Sequence, residues 1–359
     1  MPGYAAAVKL DLCLDAAELA ARLVDMRSVS GEETELADAI AASLAGLPQL
    51  DLHRRGNALV ARTQLGRAQR VVLAGHIDTV PVAGNLPARI EDGMLHGCGS
   101  CDMKAGVAVQ LRLAARLTEP SMDISYVFYD CEEVASERNG LLRLSRLCPE
   151  LLTGDFAVLL EPTDGVVEGG CQGTLRAEIV ATGARAHSAR SWMGRNAIHE
   201  AGSILDLLRR YQARRPEVAG LVYHEGLNAV GITGGVAGNV IPDECVVTVN
   251  FRFAPDRSTE QATAYVRDMF SGFEVRITDI AGGARPGLAG AGAASFAAAM
   301  GGTPRAKLGW TDVARFDALG VPAVNYGPGD PLLAHTPGEK VELAAIRACE
   351  ERMAAWLTA

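Results

Sequence analysis

The chain has 359 residues, a length at which a single hydrophobic core usually gives way to two domains. Apolar residues make up 48% and charged residues 21%, which are ordinary globular values and exclude the disordered and fibrous classes. The net charge of −9 argues against nucleic acid or an anionic membrane surface as a partner, because both require a concentrated positive face.

Targeting and disulfide signals are weak in this sequence. The N-terminal residues contain no long apolar core behind a basic start, and no stretch approaches the about 18 uncharged apolar residues of a membrane span. Eight cysteines are spread over a long chain without an export signal, so we expect buried thiols rather than a disulfide framework. The expectation is a cytoplasmic protein that does not act at a membrane.

The first half of the chain alternates helical and strand-like patterns. Capping-box patterns at 15–18 and 30–33 predict two opening helices. Further along, apolar runs at 71–74, 126–129 and 157–160 predict strands, and the helical spacings between them lie at 104–117 and 141–147. Such alternation is typical of an α/β sheet.

The pattern changes at about residue 174. Strands predicted at 175–181, 229–233, 245–253 and 273–280, with helices at 196–211 and 259–270, follow the β-α-β-β-α-β order of a ferredoxin-like domain. The Gly- and Ala-rich segment 281–294 is predicted to be a hinge or loop. A strand at 323–326 and a helix at 343–357 complete the chain. We predict an α/β domain in two parts, 1–173 and 284–359, interrupted by a smaller domain over 174–283.

Acidic side chains and histidines stand where the apolar strands of the first domain end. These strand-end residues are His76, Asp78, Glu132, Glu133 and Glu161. Ligand sites in open α/β sheets lie beyond the carboxyl ends of the strands. Asp102, at the start of a predicted helix, and His335, in a loop after the last strand pattern, are expected to reach the same edge.

This set of side chains suits divalent metal ions. Imidazole and carboxylate ligands favour zinc, cobalt or manganese. A bridging carboxylate would create a two-metal site with the ions about 3.5 to 4 Å apart, which lowers the pKa of a shared water and polarises a carbonyl. A single strand-end acid is usually a solvated group or a helix cap, so the prediction of a hydrolase depends on the coincidence of three strand ends with a later histidine.

A second chemistry competes in the same region. Cys98 and Cys101 form a C-x-x-C directly before Asp102, a pattern typical of a redox pair or half of a zinc site. The sequence has no second cysteine pair at zinc-ribbon spacing and no thioredoxin-like context. We therefore predict that the two cysteines pack the loop that presents Asp102.

Several motifs, in order along the chain, resemble the M20 family of metallopeptidases. They are G-H-I-D-T-V-P (75–81), C-D-M-K-A-G (101–106), C-E-E (131–133), L-E-P-T-D-G (160–165), A-H-S-A-R (186–190), G-N-V-I-P-D (238–243) and A-H-T-P-G-E (334–339). The resemblance covers essentially the whole chain. It implies a zinc-exopeptidase-like catalytic domain with an inserted ferredoxin-like domain that serves as lid and dimerisation domain.

The resemblance also implies the ligands of two divalent ions, zinc in the first place, with cobalt or manganese as alternatives. His76 and Glu161 would bind one ion, Glu133 and His335 would bind the other, and Asp102 would bridge them. These assignments are carried over from the family position by position.

Three residues take catalytic roles by the same resemblance. Glu132 would be the general base, which takes a proton from the attacking water and returns it to the leaving amine. Asp78 would orient the imidazole of His76 and raise its basicity. His187 would reach the active site across a dimer interface and donate to the tetrahedral oxyanion, so a homodimer through the inserted domain is expected.

Other positions resemble the substrate-binding residues of the family. Asn239 would lie at the substrate carbonyl, and Arg252 and Arg315 would hold substrate carboxylates with their guanidinium groups. A small anionic substrate is therefore expected.

The chain departs from the family pattern in two places. Gln172 stands where an arginine is usual, which removes one expected carboxylate contact. The substrate loop is rewritten as W-T-D-V-A-R-F (310–316), around Thr311 and Asp312. We expect Arg190 and Arg195, in the run A-R-S-W-M-G-R-N, to supply positive charge instead.

The activity that the resemblance implies is hydrolysis of N-succinyl-LL-2,6-diaminopimelate to succinate and LL-2,6-diaminopimelate, a step of lysine and cell-wall synthesis. Another M20 deacylase or peptidase reaction, such as N-acetylornithine deacetylation, is the alternative within the class. Two alternatives come from other classes: a non-catalytic binder on a decayed hydrolase fold, and a thiol oxidoreductase that uses Cys98 and Cys101. All five ligand positions and the base are present, which favours the enzyme.

Overall fold

The computed structural model describes residues 9–359, which pack as two compact units. The larger unit contains the described residues up to Gly169, together with Pro286–Arg305 and Arg315–Ala359. The smaller unit contains Gly170–Arg285 and Ala306–Ala314. The chain therefore leaves the larger unit and returns to it twice.

The helices and strands below are those found within residues 9–359. The α-helices are α1 (Ala16–Asp25), α2 (Thr34–Leu44), α3 (Ala105–Arg116), α4 (Gly140–Leu147), α5 (Ala197–Arg210), α6 (Thr259–Met269), α7 (Ala291–Met300), α8 (Val313–Ala318) and α9 (Leu343–Thr358). The strands are β1 (Asp51–Arg55), β2 (Ala58–Arg62), β3 (Arg70–His76), β4 (Arg89–Glu91), β5 (Met94–His96), β6 (Asp123–Tyr129), β7 (Phe156–Leu159), β8 (Glu168–Gly169), β9 (Gly173–Thr182), β10 (Ala186–His187), β11 (Glu217–Val218), β12 (Leu221–Val222), β13 (Gly226–Gly234), β14 (Val240–Ile241), β15 (Glu244–Phe253), β16 (Glu274–Ala281), β17 (Arg305–Ala306), β18 (Ala323–Asn325) and β19 (Lys340–Glu342). Among the described helices, none combines the length with the apolar character that crossing a bilayer requires.

The larger unit is built on an eight-stranded mixed sheet in the order β1-β2-β6-β3-β7-β18-β8-β17. Its central strands β6, β3 and β7 run parallel, and nearly all of their residues are buried, which explains their continuous apolar runs. Helix α3 packs against β3, α1 and α9 in the same core. Because the three strands run in one direction, their carboxyl ends lie at one edge of the sheet.

The smaller unit contains a four-stranded antiparallel sheet in the order β13-β15-β9-β16. In β15 buried residues alternate with more exposed ones from Cys245 to Phe253, as expected for a sheet with one covered face. Helices α5 and α6 cover that face with apolar residues such as Ile204 and Val266. The order of elements is that of the ferredoxin-like fold, so the predicted fold class is confirmed.

The two predicted capping boxes have different outcomes. Asp15 caps α1, because its carboxylate accepts hydrogen bonds from the backbone N–H groups of Ala17 and Glu18. The prediction at 30–33 is wrong: α2 begins at Thr34, and no side-chain cap bond is made at its N-cap residue. Ser30 instead donates its hydroxyl to a tertiary partner, at a distance of 2.7 Å.

The sequence predicts a hinge or loop over 281–294, and this prediction is wrong for the last part of the segment. Helix α7 begins at Ala291 and buries Phe296 in the core of the larger unit. Alanine is the strongest helix former, and here its propensity outweighs the loop signal of the neighbouring glycines.

Candidate active site

The carboxyl ends of β3, β6 and β7 bring the strand-end residues together. Strand β3 ends at His76, and the loop after β6 carries Glu132 and Glu133. Glu161 follows β7 by two residues. Asp102 belongs to the irregular helical turn Ser100–Lys104 before α3, and the peptide bond that follows Asp102 is cis.

His76, Asp102 and Glu161 form the first group of potential metal ligands. The Nε2 atom of His76 lies 3.0 Å from Oδ1 of Asp102. One oxygen of Glu161 joins them, so that the three ligand atoms are all within 4.8 Å of one another. His76 and Glu161 are buried, which withdraws this group from bulk water.

Asp102, Glu133 and His335 form the second group, again with ligand atoms within 4.8 Å of one another. The Nε2 atom of His335 lies 2.7 Å from Oε1 of Glu133 and 3.4 Å from Oδ2 of Asp102. Asp102 therefore turns one oxygen toward each histidine. His335 has a φ of 62°, a left-handed conformation that costs energy for a residue with a side chain.

Carboxylates dominate the electrostatics of both groups. Burial alone would lower the pKa of His76, but hydrogen bonds with Asp102 and Asp78 hold it well above its ordinary value. Hydrogen bonds with Asp102 and Glu133 raise the pKa of His335 to about 10. Burial would raise the pKa of Asp102, yet the two imidazoles hold it far below its usual range. The cluster thus attracts positive charge strongly.

The donor set fits two divalent ions. Each group offers one imidazole nitrogen and two carboxylates, with Asp102 common to both. The three carboxylates supply three negative charges against the four positive charges of two ions, and imidazole with carboxylate suits zinc, cobalt or manganese. Three protein ligands for each ion would leave positions for water and substrate.

Glu132 lies beside the ligand groups. One of its oxygens is within 4.8 Å of ligand atoms of His76 and Glu133. Its side chain is partly buried, whereas its neighbour Glu133 faces His335. Adjacent side chains point in different directions, so one glutamate can serve as a ligand while the other handles protons.

Asp78 holds the loop that carries the two glutamates. Its carboxylate oxygens accept hydrogen bonds from the backbone N–H groups of Glu132 at 2.9 Å and Glu133 at 3.0 Å. The hydroxyl of Ser30 donates to the same carboxylate. The Nδ1 atom of His76 lies 3.1 Å from the backbone oxygen of Asp78 and 3.5 Å from its Oδ1. Asp78 therefore couples the orientation of His76 to the position of the glutamate loop.

A glycine-containing loop leads to Asp102. Gly99 has a φ of 76°, and a Cβ there would lie 2.5 Å from Cγ2 of Thr79, so only glycine fits. Glu339 is 2% exposed and points its carboxylate at this loop. The carboxylate accepts hydrogen bonds at 2.9 to 3.0 Å from three backbone N–H groups, those of Gly99, Cys101 and Asp102.

His187 and Asn239 are neighbours within the smaller unit. His187 pairs with Val240 between β10 and β14, and the backbone oxygen of Asn239 accepts a hydrogen bond from Ser188. The exposed His187 accepts a hydrogen bond at Nδ1 from the backbone N–H of Ala189. In the neutral ring the proton is then on Nε2, which makes that atom a donor.

The predicted substrate arginines belong to different units. Arg190 and Arg252 are exposed residues of the smaller unit. Arg315 belongs to the larger unit and donates to the hydroxyl of Ser136 at 3.1 Å. Ser136 follows Glu133 by three residues, so Arg315 is tied to the segment that carries a potential ligand.

The positions that depart from the family pattern are packed inside the smaller unit. Gln172 is buried and donates to the backbone oxygen of His224 at 2.8 Å. Thr311 and Asp312 are also buried, and the backbone oxygen of Thr311 accepts a hydrogen bond from the thiol of Cys171. The side chain of Gln172 thus serves packing and a backbone contact.

The thiols of the C-x-x-C are buried. All eight cysteines are free, and only Cys13 is exposed. Cys98 and Cys101 are 2% and 0% exposed, burial raises the pKa of the Cys98 thiol, and Cys101 donates to the backbone oxygen of Asp330. Because the thiolate is the reactive form, this setting disfavours the oxidoreductase alternative. The two residues pack the loop before Asp102, as the sequence predicts.

Three residues that hold the site are not assigned that role by the sequence patterns, namely the partly buried Ser30 and the buried Glu33 and Glu339. Glu33 accepts a hydrogen bond from the backbone N–H of Cys131, 98 residues away, and so supports the loop after β6. Glu339 holds Asp102 across 237 residues. Bonds between such distant residues leave no local pattern. The one available signal is that Glu339 ends the motif that contains His335.

Comparison with known proteins adds a family and close relatives. A sequence model described as peptidase family M20/M25/M40 matches residues 72–359. A relative from Mycobacterium tuberculosis, named putative succinyl-diaminopimelate desuccinylase DapE, is 55% identical over 351 residues, which cover 97% of this chain and 99% of the relative. A relative from Corynebacterium glutamicum, named succinyl-diaminopimelate desuccinylase, is 47% identical over 348 residues, or 94% of each chain.

Solved structures share the fold at much lower identity. The crystal structure of a tripeptidase from Staphylococcus aureus matches with a TM-score of 0.77 and 20% identity. The match covers 97% of this chain and 98% of the tripeptidase. The fold is therefore shared along essentially the whole chain.

Proposed function

Because the chain belongs to peptidase family M20/M25/M40, whose members depend on metal ions, we propose that it hydrolyses N-succinyl-LL-2,6-diaminopimelate to succinate and LL-2,6-diaminopimelate. The observation that carries this proposal is the pair of ligand groups that share Asp102, in a chain 55% identical to a protein named as a desuccinylase. The substrate comes from that identity, and the chemistry is supported by the side chains.

Two divalent ions, zinc in the first place, would be held by the two ligand groups. His76 and Glu161 would bind one, Glu133 and His335 the other, and Asp102 both. When bound, such a pair lowers the pKa of a water and polarises the amide carbonyl. Cobalt and manganese suit the same ligands.

Glu132 is the proposed general base. It takes a proton from the attacking water as the new C–O bond is made, and it delivers that proton to the departing nitrogen as the amide C–N bond of the tetrahedral intermediate breaks. A carboxylate that serves as a metal ligand is a weak base, and Glu132 lies outside the two groups that share Asp102. The hydrogen bond from the backbone N–H of Glu132 to Asp78 supports a fixed position for this base.

The residues proposed to contact the substrate are His187, Asn239 and three arginines. His187 donates from Nε2 to the oxyanion, a contribution of about 3 to 4 kcal/mol for a donor of this kind. Asn239 contacts the substrate carbonyl. Arg190, Arg252 and Arg315 bind the carboxylates of the anionic substrate, which suits the flat guanidinium group.

A homodimer through the smaller unit is also proposed. Strand β13 is one of the two outer strands of its sheet, and its residues 228–234 are exposed. Val230 and Ile232 of this strand are 60% and 55% exposed, and Val236, two residues beyond its end, is 60% exposed. An apolar outer strand is a template for pairing with a second chain. We expect the wild-type protein to sediment as a dimer and the Ile232→Asp variant as a monomer. A monomeric wild-type protein would contradict the proposal.

The location is proposed to be the cytoplasm. Eight free thiols are typical of a reducing compartment, where disulfides do not persist. Cell fractionation with an antibody would test this, and recovery of the protein with the membrane or the medium would count against it.

A paired substrate assay tests the reaction and the metal together. Protein stripped with a chelator and then reloaded with zinc is given N-succinyl-LL-2,6-diaminopimelate or, separately, N-acetylornithine. We expect the reloaded protein to hydrolyse the succinyl substrate and the stripped protein to be inactive. Turnover of acetylornithine but not of the succinyl substrate would contradict the proposed substrate. Turnover by the stripped protein would contradict the proposed metal-dependent mechanism.

A further inference from the structure

The position of Asp102 depends on a loop with little regular structure of its own. Asp102 has φ −117° and ψ 97°, outside the helical values of the turn that contains it. The residues before it include the left-handed Gly99. Since Asp102 belongs to both ligand groups, a shift of this loop would disturb both at once.

The carboxylate of Glu339 supplies the support that this loop lacks. Its Oε2 atom accepts a hydrogen bond from the N–H of Gly99, and its Oε1 atom accepts from the N–H groups of Cys101 and Asp102. The backbone oxygen of Glu339 also accepts a hydrogen bond from Gly97. Bonds from backbone N–H groups to a buried carboxylate are among the stronger hydrogen bonds in proteins.

Glu339 also lies on the segment that carries the second histidine. It follows His335 by four residues, and the next residues form β19, which pairs with β5 from Lys340 opposite His96. The side chain of Glu339 therefore links the segment of His335 to the loop of Asp102. These are the two segments whose relative position defines the second ligand group.

We propose that Glu339 is a positioning residue, which fixes the bridging carboxylate of Asp102 relative to His335. The inference rests on the proposed metal role of these two residues. Glu339 does not touch substrate or ion in this assignment. It acts through the backbone of Asp102, as residues behind the ligands of metal sites commonly do.

The test compares Glu339→Ala and Glu339→Gln with the wild-type protein. Binding of zinc and cobalt is measured by titration, and the visible absorption spectrum of the cobalt-loaded protein reports the ligand geometry. We expect Glu339→Ala to weaken metal binding roughly 10- to 100-fold and to change the cobalt spectrum. Glu339→Gln keeps one acceptor oxygen but turns its NH₂ group toward one N–H donor, so a smaller change of the same kind is expected.

Asp123→Ala is the matched control. Asp123 is 4% exposed, and its carboxylate also accepts hydrogen bonds from two backbone N–H groups, those of Leu65 and Arg67. It begins β6, at the opposite edge of the sheet from the ligand groups. The control is expected to lower the thermal midpoint while leaving metal affinity within about twofold and the cobalt spectrum unchanged.

Unchanged metal affinity and an unchanged cobalt spectrum in folded Glu339→Ala would overturn the proposal. If that variant fails to fold, Glu339→Gln decides by the same two readouts. An effect of equal size in Asp123→Ala would also overturn it, because general destabilisation would then suffice. Failure of the proposed function is separate: the wild-type protein would then bind no divalent ion.

Discussion

A buried carboxylate accepts backbone hydrogen bonds near each end of strand β6. At its amino end Asp123 accepts hydrogen bonds from the backbone N–H groups of Leu65 and Arg67. Beyond its carboxyl end, the loop that carries Glu132 is held in the same manner by the carboxylate of Asp78. In both places a carboxylate ties a loop to the sheet through main-chain bonds.

The two ends differ in their balance of charge. A guanidinium nitrogen of Arg70 lies 3.7 Å from the carboxylate of Asp123, so the amino end is close to neutral. At the carboxyl end the three carboxylates of Asp102, Glu133 and Glu161 gather around the two imidazoles of His76 and His335, so negative charge stays in excess even when both imidazoles are protonated. A surplus of negative charge, rather than the presence of a buried acid, distinguishes the edge with the ligand groups from the edge without them.

The largest predicted effect is at the carboxyl end. Glu132→Gln removes the proposed base but keeps its shape, so we expect the turnover number to fall about 10²- to 10⁴-fold with bound metal and thermal midpoint unchanged. Turnover, metal content and midpoint are measured on one preparation. Glu137→Gln, an exposed glutamate of the next turn, is the matched control and is expected to behave as the wild type. Full activity in metal-loaded Glu132→Gln would rule out Glu132 as the general base.

An intermediate effect, on stability alone, is predicted at the amino end. Asp123→Ala removes the acceptor of the buried Thr63 hydroxyl and of the partly buried N–H groups of Leu65 and Arg67, which is expected to reduce the free energy of unfolding by on the order of 2 to 4 kcal/mol. The turnover number of the folded variant should match the wild type. Chemical denaturation measures the loss of stability, and steady-state kinetics measure the turnover number. Lost turnover in the folded variant would show that Asp123 also affects the catalytic end of the strand.

The stability effect of Asp123 is predicted to depend on pH. Burial would raise the pKa of Asp123, but hydrogen bonds from Leu65, Thr63 and Arg67 hold it below its ordinary value. A lowered pKa means that the carboxylate stabilises the fold above the unfolded value of about 4, and that this contribution disappears as the pH falls through the folded value. The difference in thermal midpoint between the wild type and Asp123→Ala should therefore become smaller below about pH 4. A constant difference would contradict the assigned cause.

The smallest effect is predicted for the cysteines of the carboxyl end. In the Cys98→Ser, Cys101→Ser double variant we expect turnover within about threefold of the wild type and a loss of stability on the order of 1 kcal/mol. Serine keeps a donor for the bond that Cys101 makes to Asp330. Turnover of the zinc-loaded variant is the measurement. Abolished activity in a folded, metal-loaded double variant would favour thiol chemistry instead.

The strand-end residues could be predicted from the sequence because parallel strands impose a common edge. His76, Glu133 and Glu161 each lie at or just after the end of an apolar run, and the end of that run predicts where the strand ends. The capping pattern at Ser30 fails because Asp78, 48 residues away, is a better partner for its hydroxyl than the helix N-terminus.

The supports of the site could not be predicted in the same way. Glu33 and Glu339 act on backbone N–H groups, which every residue except proline possesses, so no particular partner residue marks the contact in the sequence. For the smaller unit, the period-two burial in β15 could be anticipated from its alternating residues. The return of 306–314 to that unit could not, because no composition change marks it.

The burial of most thiols makes cysteine labelling a probe of unfolding. Only Cys13 is exposed, and burial raises the pKa of Cys171 to about 11 and of Cys349 to about 12, so seven of the eight cysteines resist alkylation while the fold is intact. A short pulse of a maleimide reagent should therefore add one label to native molecules and up to eight to unfolded ones. Mass spectrometry would count the two populations directly, and the peptides labelled at intermediate denaturant would report which of the two units loosens first.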